Sequence, residues 1–204
     1  MQLSKLDQEK SNFVGGTGLL LRGSRHIIKP KPVHHKFSQI VDQGRCGLHV
    51  VQISNKTFLM IYCIYGHTNA DSDSRALART NDIVNLALAD ADLQEDGPKL
   101  IVGDINATAT NLIGLNEAMK NGAYIDVGAI ASRYGGIDGD STCKANSNSR
   151  STRRDYVFAN TAASHYISGF KVDHYSNLPV HDIITVDFNT KYELQTRRTV
   201  VMPT

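Results

Sequence analysis

The chain has 204 residues, 41% of them hydrophobic and 21% charged, with a formal net charge of only +2. That is the size and composition of one globular domain, and the charge alone points to no nucleic acid. No apolar run approaches the roughly 18–20 residues of a membrane span, and "MQLSKLDQEK" lacks the apolar centre of a secretory signal. Cys46, Cys63 and Cys143 are an odd number at wide spacing. They form neither a disulfide framework nor a zinc pattern, so an intracellular location, nuclear or cytoplasmic, is expected.

In chain order, "GGTGLLLRG" (15–23) and "GLHVVQIS" (47–54) read as strands, and the Lys-, His- and Pro-rich stretch between them as a loop or distorted edge. "TFLMIYCIY" (57–65) is continuously apolar, as in a strand buried on both faces, and "SNK" before it marks a hairpin turn. Residues 72–93 read as a helix with Leu77, Val84, Leu88 and Ala91 on one face and Asp71, Ser72 or Asp73 as its cap. Then follow a strand at 99–102, a helix at 110–121, and strands near 141–145, 153–159, 166–172 and 181–188. Strands, helix, strand, helix, strands suit an α/β (α+β) domain with two sheets face to face and helices outside.

Two runs concentrate positive charge without any acid. Residues 22–36 hold five cations and three histidines, and residues 144–154 hold Lys144, Arg150, Arg153 and Arg154. Each run suits phosphate, or is simply a solvated loop.

"LIVGDINAT" (100–108) carries a core strand into Asp104 and Asn106. Strand alternation points these two the same way and turns Ile105 back to the core, while Gly103 permits a bend or a close approach. A carboxylate can orient or deprotonate a water or ligate Mg²⁺, and an amide can donate to a phosphate oxygen. The same residues also make an ordinary turn. Two further strand edges carry polar groups: Asp155 after the second basic run, and His181 in "LPVHDIITVDF". A carboxylate beside an imidazole favours its charged form, which stabilises charge growing on a phosphoryl group.

With these residues in order, the sequence resembles the endonuclease/exonuclease/phosphatase superfamily from about Gly15 to Phe188. "GGTGLLLR" resembles the family's glycine-led strand and "IYCIYGHTNA" the strand ending in a tyrosine, here Tyr65, at the scissile phosphate. "LIVGDINAT" resembles the Gly-Asp-x-Asn motif, and "STCKANSNSRSTRRDYVFAN" the Thr-then-Arg-x-Asp-Tyr segment, similar to retrotransposon-type members. The resemblance implies a four-layer sandwich of two mixed sheets with outer helices. It implies metal-dependent phosphodiester hydrolysis with Mg²⁺ (or Mn²⁺), with nucleic acid as partner through the DNA backbone. It makes Asp104 the residue that orders or activates water, Asn106 a phosphate contact, Asp155 the partner of the catalytic His181, and Thr142, Arg153, Arg150 and Lys144 substrate-side groups.

Two departures follow from the same match. The family's N-terminal strands, with an Asn and the Glu that ligates the metal, have no counterpart. Glu9 lies six residues before Gly15 with no apolar strand ahead of it, which leaves Asp104 as a weak metal ligand. The family's Ser-Asp-His is here Pro179-Val180-His181, and Asp182 falls on the opposite strand face. Two functions are therefore expected in competition: an endonuclease of low activity, and a non-catalytic nucleic-acid binder. A small-molecule or lipid phosphatase is a third.

Overall fold

A computed structural model describes residues 2–3, 6–7, 12–13, 16–18, 27–144, 146, 148–175 and 178–189. Its strands are β1 (Gln2–Leu3), β2 (Leu6–Asp7), β3 (Asn12–Phe13), β4 (Gly16–Thr17), β5 (Ile27–Ile28), β6 (Cys46–Gln52), β7 (Phe58–Tyr65), β8 (Lys99–Asp104), β9 (Tyr124–Asp126), β10 (Asp155–Asn160), β11 (Ile167–Asp173) and β12 (Ile183–Phe188). The α-helices are α1 (His35–Asp42), α2 (Ser74–Leu93), α3 (Ile113–Lys120) and α4 (Thr161–Ser164), with 3₁₀ turns at Ala109–Asn111 and Gly128–Tyr134.

Six strands form one sheet in the order β5-β6-β7-β8-β10-β9. Among the described strands only β7 and β8 run parallel, joined by α2 as a crossover, as a parallel connection requires. β11 and β12 form a separate antiparallel pair. One core fills the space between the six-stranded sheet and α1–α3, built on Phe37, Tyr62, Ile64, Val84, Ile101, Leu115 and Phe158. A second lies between that sheet and β11–β12, built on Leu100, Val157, Tyr166 and Phe170. Ile183, Thr185 and Asp187 on the outer face of β12 are exposed. Among the described residues the sandwich therefore has three layers: helices, large sheet and small sheet.

Local chemistry explains the elements. Asp73 caps α2, its carboxylate accepting from the backbone N–H of Arg75 at 2.8 Å and of Ala76 at 3.4 Å. The buried stripe of α2 is Ala76, Thr80, Ile83, Val84, Ala87 and Ala91, a turn-by-turn spacing offset from the expected face. Leu77 and Leu88 are only partly buried. Asp90, fully buried on the same helix, accepts from the Tyr62 hydroxyl at 2.9 Å and the His34 N–H at 2.7 Å.

Several expectations need correction. Residues 24–46 are not simply loop, because α1 forms there and buries Phe37 and Val41, one helical turn apart. The expected helix at 110–121 is a 3₁₀ turn followed by α3. The expected strand at 141–145 is reduced to Cys143, which bridges Thr152 and His181. Strand β9 and the 3₁₀ turn Gly128–Tyr134 were not foreseen. Ahead of Gly15, where no apolar run marks a strand, the two-residue strands β1, β2 and β3 form. β1 pairs with β4 and β2 with β3. Glu9, Arg22 and most of the first glycine-led strand lie outside the described residues.

Candidate active site

Sheet register gathers the site. Tyr65 on β7 is paired with Asp104 on β8, and Asp104 with Asp155 on β10. Three site residues thus form one row across three neighbouring strands, facing the same side of the sheet. Gly103 and Gly66 allow this. A Cβ on Gly103, whose φ is +138°, would meet Ile64 O at 2.0 Å, and one on Gly66 would meet Ile105 O at 1.9 Å. Both positions need glycine for close backbone contact.

Asn106 reaches the row by a route other than strand alternation. The strand ends at Asp104, and Asn106 takes φ 57°, a left-handed conformation that asparagine tolerates. Its N–H donates to Asp104 Oδ1 at 3.2 Å and its side-chain amide to Asp104 Oδ2 at 3.0 Å. Ile105 is fully buried, as expected.

His181 sits just before β12, not within it. Its Nδ1 lies 2.9 Å from Asp155 Oδ2, and its Nε2 lies 3.9 Å from Asp104 Oδ2. The imidazole therefore stands between two carboxylates. Burial opposes its charged form, but the hydrogen bond with Asp155 and the charges of Asp155, Asp104 and Asp182 outweigh burial and raise its pKa. The Asp104 carboxyl is also raised, by burial first and then by the Asp155 charge, against the opposing pull of His181 and Asn106.

Other expected substrate-side groups are supports. Thr142 is 1% exposed. Its hydroxyl donates to Asp155 Oδ2 at 2.8 Å and accepts from the N–H groups of Arg154 and Asp155 at 3.0 Å each. Its polar capacity is spent on holding Asp155, so it does not face a substrate. Arg153 pairs with Asp126 and lies over the Tyr156 ring, 4.6 Å from its centroid. Its charge is paired inside the protein, although the residue also lines the cleft beside the Asn106 loop. Lys144 and Arg150 are exposed.

Two contributors were missed. Asp71 accepts from the Thr108 N–H at 2.6 Å and hydroxyl at 3.0 Å and also pairs with Arg154, tying the Asn106 loop to the start of β10. Arg45 donates to Gly66 O at 3.1 Å and stacks over Tyr65, 5.2 Å from the ring centroid. The "GR" before β6 carried no signal strong enough to mark Arg45. Within the first basic run, His34 lies far along α2 from that helix's start. His34 is held at Asp90, sixteen residues along α2 from Ser74, or roughly 24 Å at the helical rise.

Mg²⁺ or Mn²⁺ would need free oxygen donors here. Asp155 Oδ2 is engaged by Thr142 and His181, and both oxygens of Asp104 accept from Asn106. Among the described residues no three His, Cys, Asp or Glu side chains could hold a metal ion together. Mg²⁺ demands a near-octahedral set of oxygens. The described residues do not fit a resident ion.

The Arg153–Asp126 pair gives a stability prediction. Asp126→Ala leaves a largely buried guanidinium without its partner, and the expected cost is about 3–5 kcal/mol, measured as a lower urea midpoint with unchanged slope. A loss below about 1 kcal/mol would show a surface-type pair.

No protein-family model and no curated protein matches the sequence. Solved structures do match. The catalytic domain of Xenopus laevis APE2 superposes with a TM-score of 0.54 at 17% identity, covering 75% of this chain and 59% of its own. The chain shares its fold with that catalytic domain. The endonuclease domain of TRAS1, a telomere-specific non-LTR retrotransposon, superposes at 0.55 with 11% identity over 80% of this chain and 68% of its own. NExo, a 3′ phosphatase from Neisseria solved with product DNA hairpin, superposes at 0.51 with 11% identity over 81% and 70%. The chain thus spans 59% of the APE2 domain, and at these identities the likeness establishes the fold alone.

Proposed function

We propose that the chain hydrolyses phosphodiesters in nucleic acid, slowly, by endonucleolytic attack on the DNA backbone. The observation that carries this reading is the row Tyr65–Asp104–Asp155 with His181 set between the two carboxylates. In this reading Asp104 accepts a proton from an attacking water, its raised pKa making it a better base than an ordinary aspartate. Asn106 turns its amide from Asp104 to a phosphate oxygen. His181, charged and held by Asp155, stabilises the negative charge that grows on the phosphoryl group as the ester P–O bond breaks, and the leaving oxygen takes its proton from solvent. Tyr65, braced by Arg45, stands at the rim. Beside the Asn106 loop lies a cleft of about 580 Å³ lined in part by Asp71, Thr108, Arg150, Thr152 and Arg154, which suits a strand of backbone phosphates.

The unsuitable donor set favours a second reading, binding without turnover. Plasmid nicking by purified chain, with Asp104→Ala as control, separates the two. Nicking lost in the variant supports hydrolysis, and binding with no nicking above the variant supports the second reading.

Either reading requires salt-dependent binding. Replacing Lys144 and Arg150 with Ala should weaken binding to short duplex DNA and lower the salt slope by about 1–2, because each phosphate contact releases counterion. Lys56→Ala, in the turn before β7 at the opposite end of that strand from Tyr65, should change nothing. A flat salt response in the unaltered chain would refute the phosphate-facing surface.

A further inference from the structure

His181 is delivered by a strained turn. Val180 has φ 76°, a region that β-branched residues rarely enter. It is the centre of a three-residue turn in which the His181 N–H donates to Pro179 O at 2.9 Å. Such strain persists only when the surroundings enforce it. Part of the enforcement is backbone: Lys144 N–H donates to Val180 O at 2.7 Å, and Asp182 N–H to Thr142 O at 2.8 Å.

The rest is a side-chain bracket that the proposed hydrolysis does not use directly. His174, immediately after β11, sets Nδ1 2.9 Å from Asp182 Oδ2 and Nε2 3.0 Å from Asp140 Oδ2. Asp182 follows His181 in the chain, and Asp140 lies two residues before Thr142. The bracket therefore spans both segments that meet beneath the catalytic imidazole. We propose that the Asp140–His174–Asp182 bracket is a positioning device that holds the strained turn at Val180 and so presents His181 to Asp155 and Asp104. This inference rests on the reading of His181 as a working residue.

The bracket responds to protons by its geometry. Neutral imidazole has one N–H, so only the imidazolium donates to both carboxylates. The groups facing His174 are Asp182 and Asp140, and their hydrogen bonds, that of Asp182 first, raise its pKa above the ordinary 6.5. Those facing His181 are Asp155, Asp104 and Asp182. Because the folded pKa of His174 is the higher one, the closed bracket is fully present below pH 6.5 and opens as pH rises through the raised value. Above it one ring nitrogen meets a carboxylate oxygen with no proton between them.

The test is a titration of the His181 ring followed by NMR in the unaltered chain, in His174→Ala, in Asp140→Asn and in the double variant. The expected result is that both single variants displace the His181 ring resonances and titration midpoint in the same direction, and that the double variant adds nothing. Tyr175→Ala, the exposed neighbour of His174, should leave His181 unmoved. In nicking assays kcat should fall roughly ten- to a hundredfold with KM nearly unchanged, as for misplacement of a catalytic group. Unchanged His181 resonances in both single variants overturn the proposal. If His174→Ala fails to fold, the near-isosteric Asp140→Asn gives the same decision. The NMR readout stands apart from turnover, so a chain that nicks nothing but shifts His181 as expected loses the hydrolytic reading and keeps the bracket.

Discussion

His181→Ala is expected to lower the nicking rate by about 10²–10³-fold, the usual effect of removing one charged or polar donor aimed at the transition state. Its imidazole is a cation placed between Asp104 and Asp155, so its removal also leaves two carboxylates facing each other. Repulsion between them should raise the Asp104 carboxyl further. The pH profile tests the same point. Activity requires charged His181 and ionised Asp104. It should rise as pH climbs through the Asp104 value, held above the ordinary carboxylate range by burial and then by Asp155, and fall as pH climbs through the raised His181 value. In His181→Ala the alkaline fall should disappear. Loss of less than about threefold, or an unchanged profile, would remove His181 from the chemistry.

What made the site legible in the sequence was the row itself. Core strands that end in Asp104 and begin with Asp155 mark the sheet edge from either side, and antiparallel pairing of β8 with β10 then sets the two opposite each other. Tyr65 came from the resemblance alone, and the structure sets it level with Asp104 at the end of the apolar run 58–65. Thr142 and Arg153 were expected on the substrate side, and in the structure each is bound to a carboxylate of the protein. Residue type could not show that the Thr142 hydroxyl is consumed by Asp155 or the Arg153 charge by Asp126, since both partners are remote in sequence. Helix α1 was hidden for a related reason. Its flanking Lys, His and Pro read as loop, while Phe37, Ile40 and Val41 keep helical spacing through them. Arg45 and Asp71 act on partners remote in sequence, Tyr65 and Gly66 for the one and Thr108 and Arg154 for the other, which sequence spacing does not mark.

Nicking by this chain in Mg²⁺ or Mn²⁺ is expected to be slow and little changed by EDTA, and supplying one more carboxylate beside Asp104 should raise it by orders of magnitude. Octahedral Mg²⁺ is commonly held by one or two carboxylates together with phosphate and water. Here the carboxylates of Asp104 and Asp155 are already engaged by Asn106, Thr142 and His181. A metal in phosphoryl transfer neutralises charge and aligns the attacking and leaving oxygens. The surviving groups supply part of that: Asp104 a base, Asn106 a donor and His181 a cation. None replaces a divalent charge against the phosphate. The resemblance places the metal-ligating glutamate on strands with no counterpart within residues 15–188. A chain extended at its N-terminus by such strands, compared with the same extension carrying Gln in place of the Glu, separates completion of the sheet from supply of the acid. The expected result is fast, EDTA-sensitive nicking with Glu, slow nicking with Gln, and loss of both in Asp104→Ala. Fast EDTA-sensitive nicking by the unextended chain would mean that an acid outside the described residues already serves, and Glu9→Gln would then be the variant to make first.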